Sequence, residues 1–179
     1  MNRGQGDVLD VLETIKARRS IRKYKPRPIP TRKLRIILEA ARLAPSAANR
    51  QPWGFVVVRD SERKKALAKI ANNQMFLADA AVIVAAVGDP EVSKKWCEKD
   101  VMIAVEHLAL TAAASGYGTC WIGAFNENEV KSLLSIPERS NVVALLPIGV
   151  PDEAPPSRPR KELSEIFFED EYGKPLKLR

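Results

Sequence analysis

Apolar residues recur with helical spacing near the start of the chain and predict two amphipathic helices there. The first begins after the potential cap Asp7 and should end near Arg18. The second begins at the potential cap Thr31 and is stopped by Pro45. Each helix places its apolar residues on one face, which we expect to be buried. These residues are Val8, Val11, Leu12 and Ile15 in the first helix and Leu34, Ile37, Leu38 and Ala41 in the second.

Runs of β-branched and aliphatic residues predict four strands, at 54–60, 80–88, 116–125 and 141–150. The first, GFVVVRD, should be a buried strand. The second, AAVIVAAVG, carries no polar side chain, which is typical of a strand covered on both faces. The third follows a glycine-rich turn, and the fourth should end before Pro151.

Further helices are predicted between these strands. Residues 61–71 should form a short helix capped by Ser61, and 73–80 and 127–136 give two more. Residues 92–115 form the longest candidate, which is apolar nearly all round in its middle, VMIAVEHLALTAAA. Such a helix is either wrapped by its own domain or covered in part by a second subunit, and we favour the second alternative.

The order of these elements, with helices leading and strands interspersed, favours an α+β sandwich over a doubly wound sheet. A length of 179 residues fits a single domain, 1–179, with the proline-rich tail 151–179 as a C-terminal arm. A Rossmann domain would need GxGxxG between a strand and a helix, whereas the glycine cluster at 116–123 precedes a strand. There is no GxxxxGKS/T loop either, so a nucleotide-like cofactor must be held by another device.

Positive charge is concentrated in the first third of the chain. The net charge is +7, and residues 1–65 hold 17 Lys/Arg against 6 Asp/Glu. Such an excess attracts nucleic acid, an anionic membrane surface or a phosphorylated cofactor or substrate, although a solvated basic face is an equal alternative. The N-terminus lacks the pattern of a signal peptide and no apolar run is long enough to span a bilayer, which favours a cytoplasmic location without membrane contact.

Residues that commonly bind metals are few. Cys97 and Cys120 are too few and too separated for a disulfide framework or a thiolate metal site, so we expect two reduced, packed thiols. The only histidine, His107, would have to carry a metal cluster or a catalytic triad alone. A packed, hydrogen-bonded His107 and the absence of a metal site are the better interpretation.

Two motifs in the N-terminal part of the chain suggest ligand binding. ARRSIRKY (17–24) combines guanidinium groups and a hydroxyl, which suit phosphate oxygens, although arginines at a helix end also complement the helix dipole. APSAANRQPWGF (44–55) combines small residues with the amides of Asn49 and Gln51, which can meet the edge of a heterocycle. Its alternative is a structural turn with Trp53 in the core.

Two further motifs lie downstream. GYGTCWIGAF (116–125) can bring backbone N–H groups against a ligand, and backbone donors suit a flavin, whose reduction builds negative charge along N1–C2=O2. A tight structural turn would have the same composition. SRPRKEL (157–163) holds cations in a proline-stiffened tail, although a solvated linker would contain the same residues.

Taken together and in this order, the four motifs resemble those of the nitroreductase family of FMN enzymes, and the likeness runs from about Val8 to Phe168. The resemblance implies an α-β-α sandwich with a mostly antiparallel sheet and a domain-swapped homodimer. It further implies bound FMN and a ping-pong reaction in which NADH or NADPH supplies hydride for a small organic acceptor such as a nitroaromatic, quinone, flavin or oxygen.

The same resemblance implies roles for individual residues and no side chain acting as a nucleophile. Arg18, Ser20 and Arg160 would hold the FMN phosphate, with Arg19 and Arg158 in support, and Arg22 would face the N1/O2 edge of the flavin. Pro45, Ser46, Ala47 and Asn49 would come from the opposite subunit. Asn73 or Gln74 would contact the pyrimidine edge, and the backbone amides of Ile122 and Gly123 would approach N5 and O4.

Two alternatives stay open at this point. The first is a relative on the same scaffold that consumes flavin or reduces something other than a nitro compound. From a different class, the basic N-terminal half would suit a nucleic-acid-binding module. Its cations are not interleaved with aromatic residues, however, which disfavours that function.

Overall fold

The computed structural model describes residues 11–177. Helices and strands alternate irregularly along this part of the chain. The helices are α1 (Val11–Ala17), α2 (Thr31–Arg42), α3 (Ser61–Ile70), α4 (Phe76–Asp79), α5 (Cys97–Ala114), α6 (Glu127–Leu134) and α7 (Leu163–Ile166). The strands are β1 (Tyr24–Lys25), β2 (Trp53–Val58), β3 (Val82–Gly88), β4 (Gly118–Thr119) and β5 (Asn141–Pro151).

The five strands form one sheet in the order β1-β5-β3-β2, with β4 also paired to β5. Every one of these strand pairs is antiparallel, as expected. Strand β5 is the organising strand because β1, β3 and β4 all pair with it. The register with β3 shifts between Ala86 and Val87, where Val143 of β5 has no partner and forms a bulge.

Helices cover both faces of the sheet. Alternate residues of β3 point to opposite sides, since successive side chains in a strand alternate between its faces. Val82, Val84 and Ala86 pack against α2 and α5. Ile83 and Ala85 pack against α3, α4 and α6 on the other side. The result is the expected α-β-α sandwich, and β3 is buried on both faces as its composition predicts.

Some strand predictions were wrong because the extent and burial of a strand depend on its partner strands, which the sequence alone does not reveal. The run 54–60 forms an edge strand whose side chains are mostly only half-buried, because β2 has a neighbour on one side only. The run 116–125 contributes only the two residues of β4 and an isolated bridge at Ile122. β1 was not expected at all, and β5 continues through Pro151 because that residue pairs with Tyr24.

Helix caps also differ from the prediction. Asp60, not Ser61, caps α3, because its side chain accepts the N–H of Arg63 at 2.9 Å. Thr31 is the first helical residue of α2, and the preceding Pro30 offers no side-chain cap. Both helices nevertheless begin within one residue of the predicted start.

The buried stripe predicted for the first helix is wrong for the single chain. Val11, Leu12 and Ile15 are 50–70% exposed, and the only buried residue of α1 is Thr14. The helix packs on α5 with the opposite side, so its apolar stripe faces outward. Asp7 and Val8 lie outside the described residues.

Helix α5 is central, as predicted, and it is exposed on one side only. Val105 and Ala109 are completely buried within the chain's own core. Met102 and Ile103 are 48% and 40% exposed. Within residues 11–177 no helix combines the length and the apolarity needed to cross a membrane.

A substitution at Gly149 in β5 tests how closely this strand packs against Tyr24 and Ala81. A Cβ at this position would lie 2.8 Å from Cδ1 of Tyr24 and 3.2 Å from the backbone nitrogen of Ala81. We therefore expect Gly149→Ala to lower the free energy of unfolding by about 1–3 kcal/mol, measured by chemical denaturation. Gly54→Ala, where an added Cβ meets open space, is the control and should change it by about 0.5 kcal/mol or less. Equal stability of the two variants would contradict the packing described here.

Candidate functional site

The first and last cation motifs meet in one cleft of about 570 Å³. Six cationic side chains lie along it, and no carboxylate is among the described residues that line it. A cleft of this kind attracts anions, because like charges held together leave a strong positive potential. Its lining comprises Ile15, Lys16, Arg18, Arg19, Ser20, Arg22, Pro155, Pro156, Ser157, Arg158 and Arg160.

The wall formed by the first motif begins where α1 ends. The N–H of Arg18 donates to the carbonyl of Thr14 at 2.9 Å, which closes the last turn of the helix. The chain then runs alongside β4, because Ser20 forms a parallel bridge with Thr119 and the N–H of Ile21 donates to the Thr119 carbonyl at 2.9 Å. Ser20 is therefore held by backbone pairing at the base of the cleft.

Arg18 is the cation of the cleft that forms an ion pair with helix α5. Its side chain is 23% exposed, and its Nε lies 3.9 Å from Oε1 of Glu106 on α5. The other oxygen of Glu106 accepts Nε1–H of Trp121 at 3.1 Å. Glu106 thus joins the ARRSIRKY and GTCWIG segments and aims Arg18, although the sequence had drawn no attention to it. The sequence did contain a signal for Glu106, namely a carboxylate in the middle of an apolar helix.

Two other arginines bond to nearby backbone. Nη1 of Arg19 donates to the carbonyls of Lys16 at 2.6 Å and Arg18 at 2.8 Å. Nη1 of Arg160 donates to the carbonyls of Arg158 at 3.3 Å and Pro159 at 3.2 Å. One guanidinium nitrogen is used in each case, so the remaining N–H groups of the fork are left for a ligand.

Cys120 lies directly behind this wall. Burial raises the pKa of its thiol, while Arg22, a hydrogen bond from Ser20 and Arg18 act in the opposite direction. Cys97 is also buried, and burial raises the pKa of its thiol as well. Both cysteines are free, packed thiols, as predicted.

The second motif lies elsewhere on the chain. Pro45, Ser46 and Ala47 line a separate cavity of about 350 Å³ against Trp96 and Ile103 and share no lining residue with the cation cleft. Trp53, from the same motif, is half-buried against the core that α2 and α5 share. A single chain therefore does not bring these two motifs together.

The loop of this second motif is strained and held by side chains. Ala48, Asn49 and Gln51 have positive φ angles of 51°, 54° and 49°, which cost non-glycine residues about 1–2 kcal/mol each. The buried carboxylate of Asp100 accepts the N–H of Ala47 at 3.2 Å through either oxygen. Ser46 Oγ accepts the N–H of Gln51 at 2.9 Å. Strain of this kind is typical of functional loops.

The amides of the α3–α4 turn also lie outside the cleft lining. Asn73 is exposed and Gln74 is half-buried. Asn72 and Asn73 are both left-handed, with φ of 55° and 57°. The turn therefore projects these amides from a tightly bent backbone.

The third motif requires a correction at Ile122. The N–H of Ile122 donates to the Leu145 carbonyl at 3.0 Å, and the Leu145 N–H donates back to the Ile122 carbonyl at 3.0 Å. This bridge occupies the amide that was expected to approach a flavin, and the side chain is buried. Gly123 is exposed, and we find no hydrogen bond of its N–H within residues 11–177. Of the two amides, that of Gly123 is therefore the one without a backbone acceptor in the described part of the chain.

His107 is packed and hydrogen-bonded, as expected. It is half-buried on α5, and its Nδ1 lies 3.3 Å from the carbonyl oxygen of Ala40 on α2. The contact joins the two helices that cover one face of the sheet. It shares no lining residue with the cation cleft.

Comparison with known proteins decides the family. The family model described as Nitroreductase family matches residues 15–81 and 70–150. The chain belongs to the nitroreductase family. A family relative from Vibrio harveyi, named NADPH-flavin oxidoreductase, is 31% identical over 179 residues, covering 91% of this chain and 75% of its own.

Solved structures of the nitroreductase family agree with this fold. A nitroreductase family protein from Clostridium novyi NT is 36% identical with a TM-score of 0.77 and covers 93% of this chain and 97% of its own. The NADPH:FMN oxidoreductase from Vibrio harveyi, solved in complex with NAD+, is 29% identical with a TM-score of 0.84, over 94% of this chain and 79% of its own. The nitroreductase-like α+β fold inferred from the four motifs is confirmed.

The thiols provide a test of the packing behind the cleft in this family member. Because Cys97 and Cys120 are buried and burial raises both pKa values, we expect neither to react with a disulfide reagent at pH 8 in the native protein. Both should react at once in guanidinium chloride. Ser157→Cys, which places a thiol on the exposed arm, is the positive control and should react in the native state. Rapid labelling of native Cys120 would contradict the arrangement.

Proposed function

We propose that the chain is an FMN-dependent oxidoreductase that transfers hydride from NADH or NADPH to a small organic acceptor. The observation that carries this proposal is the meeting of two distant cation motifs in one cleft, with no carboxylate among the residues of 11–177 that line it. The comparisons support it, since the Vibrio harveyi relative is named for NADPH and flavin and the Vibrio harveyi structure for NADPH and FMN. The acceptor class includes nitroaromatics, quinones, flavin and oxygen.

The donor set of the cleft fits the phosphate of FMN. Guanidinium groups match phosphate oxygens with paired N–H donors, and the Ser20 hydroxyl adds a short neutral donor. Arg18, Ser20 and Arg160 would hold the phosphate, and Arg19 and Arg158 would support them. Glu106 keeps Arg18 aimed into the cleft. A mononucleotide suits two neighbouring cation clusters in a chain without a dinucleotide fingerprint.

Other residues would meet the ring. FMN held here would supply an N5 atom that can accept and release hydride, the chemistry that a ping-pong exchange between NADH or NADPH and the acceptor needs. In our proposal Arg22 faces the N1/O2 edge, where a cation favours the reduced form. Asn73 or Gln74 would contact the pyrimidine edge. The resemblance implied that the amides of Ile122 and Gly123 approach N5 and O4, and in our proposal the Gly123 N–H does so alone.

A domain-swapped homodimer completes the site in this proposal. Pro45, Ser46, Ala47 and Asn49 would reach the flavin of the partner, which accounts for their separation from the cleft within one chain. Exposed apolar residues on α1, on α5 and the residue before it, and on the arm support such an assembly, because large apolar side chains grouped on a surface commonly mark an interaction site. They are Val11, Leu12, Ile15, Trp96, Met102, Ile103, Leu163, Ile166 and Phe167.

The C-terminal part has its own place in the proposal. Residues 1–179 would be one domain, with 151–179 as an arm that leaves β5, passes the cleft at Arg158 and Arg160, and continues onto the partner. The exposed face of α7 supports this path. A cytoplasmic location, expected from the sequence, belongs to the same proposal.

Arg160 and Arg22 separate phosphate binding from ring chemistry. Arg160→Ala removes charge-assisted hydrogen bonds of about 1.5–3 kcal/mol, so FMN binding should weaken roughly ten- to hundredfold while turnover per bound flavin barely changes. Arg22→Ala should lower the flavin reduction potential and slow flavin reduction even at saturating FMN. Flavin titration, potentiometry and single-turnover kinetics measure these effects.

Arg63→Ala provides the matched control for both variants, because it removes an exposed arginine from α3 on the other side of the sheet. It should leave flavin affinity and reduction potential unchanged. An unchanged potential in Arg22→Ala would refute the role assigned to that residue. Wild-type protein that FMN does not bind would refute the proposed function itself.

The homodimer is tested on α5. Ile103→Glu places a charge on an exposed apolar position, so the variant should fold but run as a monomer and lose flavin at concentrations where the wild type is dimeric. Lys69→Glu on α3, an exposed position on the other side of the sheet, is the control. Sedimentation velocity and flavin absorbance give the readouts. A dimeric Ile103→Glu protein with full flavin content would contradict the proposed interface.

A further inference from the structure

The arm and the first motif are joined by three successive contacts where β5 leaves the sheet. Pro151 pairs with Tyr24 in the β1–β5 ladder. The N–H of Asp152 then donates to the carbonyl of Lys23 at 2.9 Å. At the next position the Glu153 carboxylate accepts the N–H of Arg22. The contact at Asp152 is therefore between two backbone groups, whereas the contact at Glu153 uses a side chain as the acceptor.

The segment that carries Arg22 depends on this last contact. On its other side the chain is held by β4, since Ser20 bridges Thr119 and Ile21 donates to the Thr119 carbonyl. Arg22 itself is exposed and lines the cleft. Glu153 is the acceptor that fixes its N–H and, through it, the direction in which the guanidinium leaves the chain.

The charge of Glu153 makes a purely electrostatic role unfavourable. A carboxylate beside a cation cleft weakens anion binding by Coulomb repulsion. Glu153 does not line that cleft but lines the adjoining cavity, which shares Arg18, Arg19 and Pro155 with it. If Glu153 assists cofactor binding, the benefit of its hydrogen bond to the Arg22 N–H must therefore exceed the repulsion between its charge and the anion.

We propose that Glu153 is a positioning residue that holds the Arg22 backbone and the start of the arm in the geometry that receives FMN. The proposal rests on the proposed function of the cleft. It assigns to Glu153 no contact with the cofactor. Its effect reaches the cofactor through Arg22 on one side and through Arg158 and Arg160 on the other.

Two substitutions separate the hydrogen bond from the charge. Glu153→Gln and Glu153→Ala remove the same charge, but only glutamine keeps an acceptor oxygen at the same reach. We expect Glu153→Gln to bind FMN as tightly as the wild type or more tightly. Glu153→Ala should bind about three- to tenfold more weakly than Glu153→Gln, the effect of one lost hydrogen bond. Quenching of FMN fluorescence during titration of apoprotein measures both.

The Asp152 pair is the matched control. Asp152 is the neighbouring carboxylate, 58% exposed, with only a 3.8 Å ion pair to Lys25. Asp152→Asn and Asp152→Ala leave its backbone contact intact and should differ by less than about twofold in FMN affinity. Equal affinities of the two Glu153 variants, or the same split in the Asp152 pair, would overturn the proposal.

A second readout does not require bound cofactor. Hydrogen exchange of the Arg22 amide in apoprotein should be about as slow in Glu153→Gln as in wild type and at least several-fold faster in Glu153→Ala. If Glu153→Ala fails to fold, Glu153→Asp takes its place, because it keeps the charge and shortens the reach by one methylene. It should show weaker FMN binding and faster Arg22 exchange than wild type, and wild-type values would overturn the proposal.

These readouts also separate the two proposals. Wild-type apoprotein that does not bind FMN would refute the proposed function. The exchange rates of the Arg22 amide would still decide whether Glu153 holds that backbone. Conversely, normal FMN binding with identical exchange in all variants would leave the function standing and remove the role of Glu153.

Discussion

Antiparallel pairing of β1 with the end of β5 is the contact on which the cation cleft depends. Tyr24 and Lys25 are only two residues, yet they bring the motif after α1 against the chain that becomes the arm. Six cations are thereby collected from positions more than a hundred residues apart. Like charges near a surface repel by several kcal/mol at close range. The pairing of β1 with β5 therefore has to hold these cations near one another against their mutual repulsion. An anion removes that repulsion.

Some of this arrangement could be predicted from the sequence because it depends on local pattern. The alternation of β3, the apolar face of α2 and the order of the four motifs are all written in neighbouring residues. The resemblance of those motifs to a family then supplied the fold and the cofactor. Arg18, Ser20 and Arg160 line one cleft, and their role in binding FMN stays a prediction.

The failures have a common physical cause, which is that partners distant in sequence decide them. The amide of Ile122 looked free until Leu145 was found opposite it. The stripe of α1 looked like core, although amphipathic periodicity only indicates that a face will be covered and not by which chain. Glu106, Asp100 and Glu153 were missed because a single carboxylate has no pattern, and its importance lies in the group that it contacts.

The left-handed loop at Ala48, Asn49 and Gln51 has a consequence for engineering. Glycine would adopt these φ angles without steric cost, so glycine at Ala48 would relieve strain in the folded chain. It would also enlarge the ensemble of conformations open to the loop. Selection for thermal tolerance alone could therefore favour a variant whose loop no longer keeps one fixed shape. Stability and a fixed loop shape are separable traits at this turn, and a screen that scores only one of them would misjudge its variants.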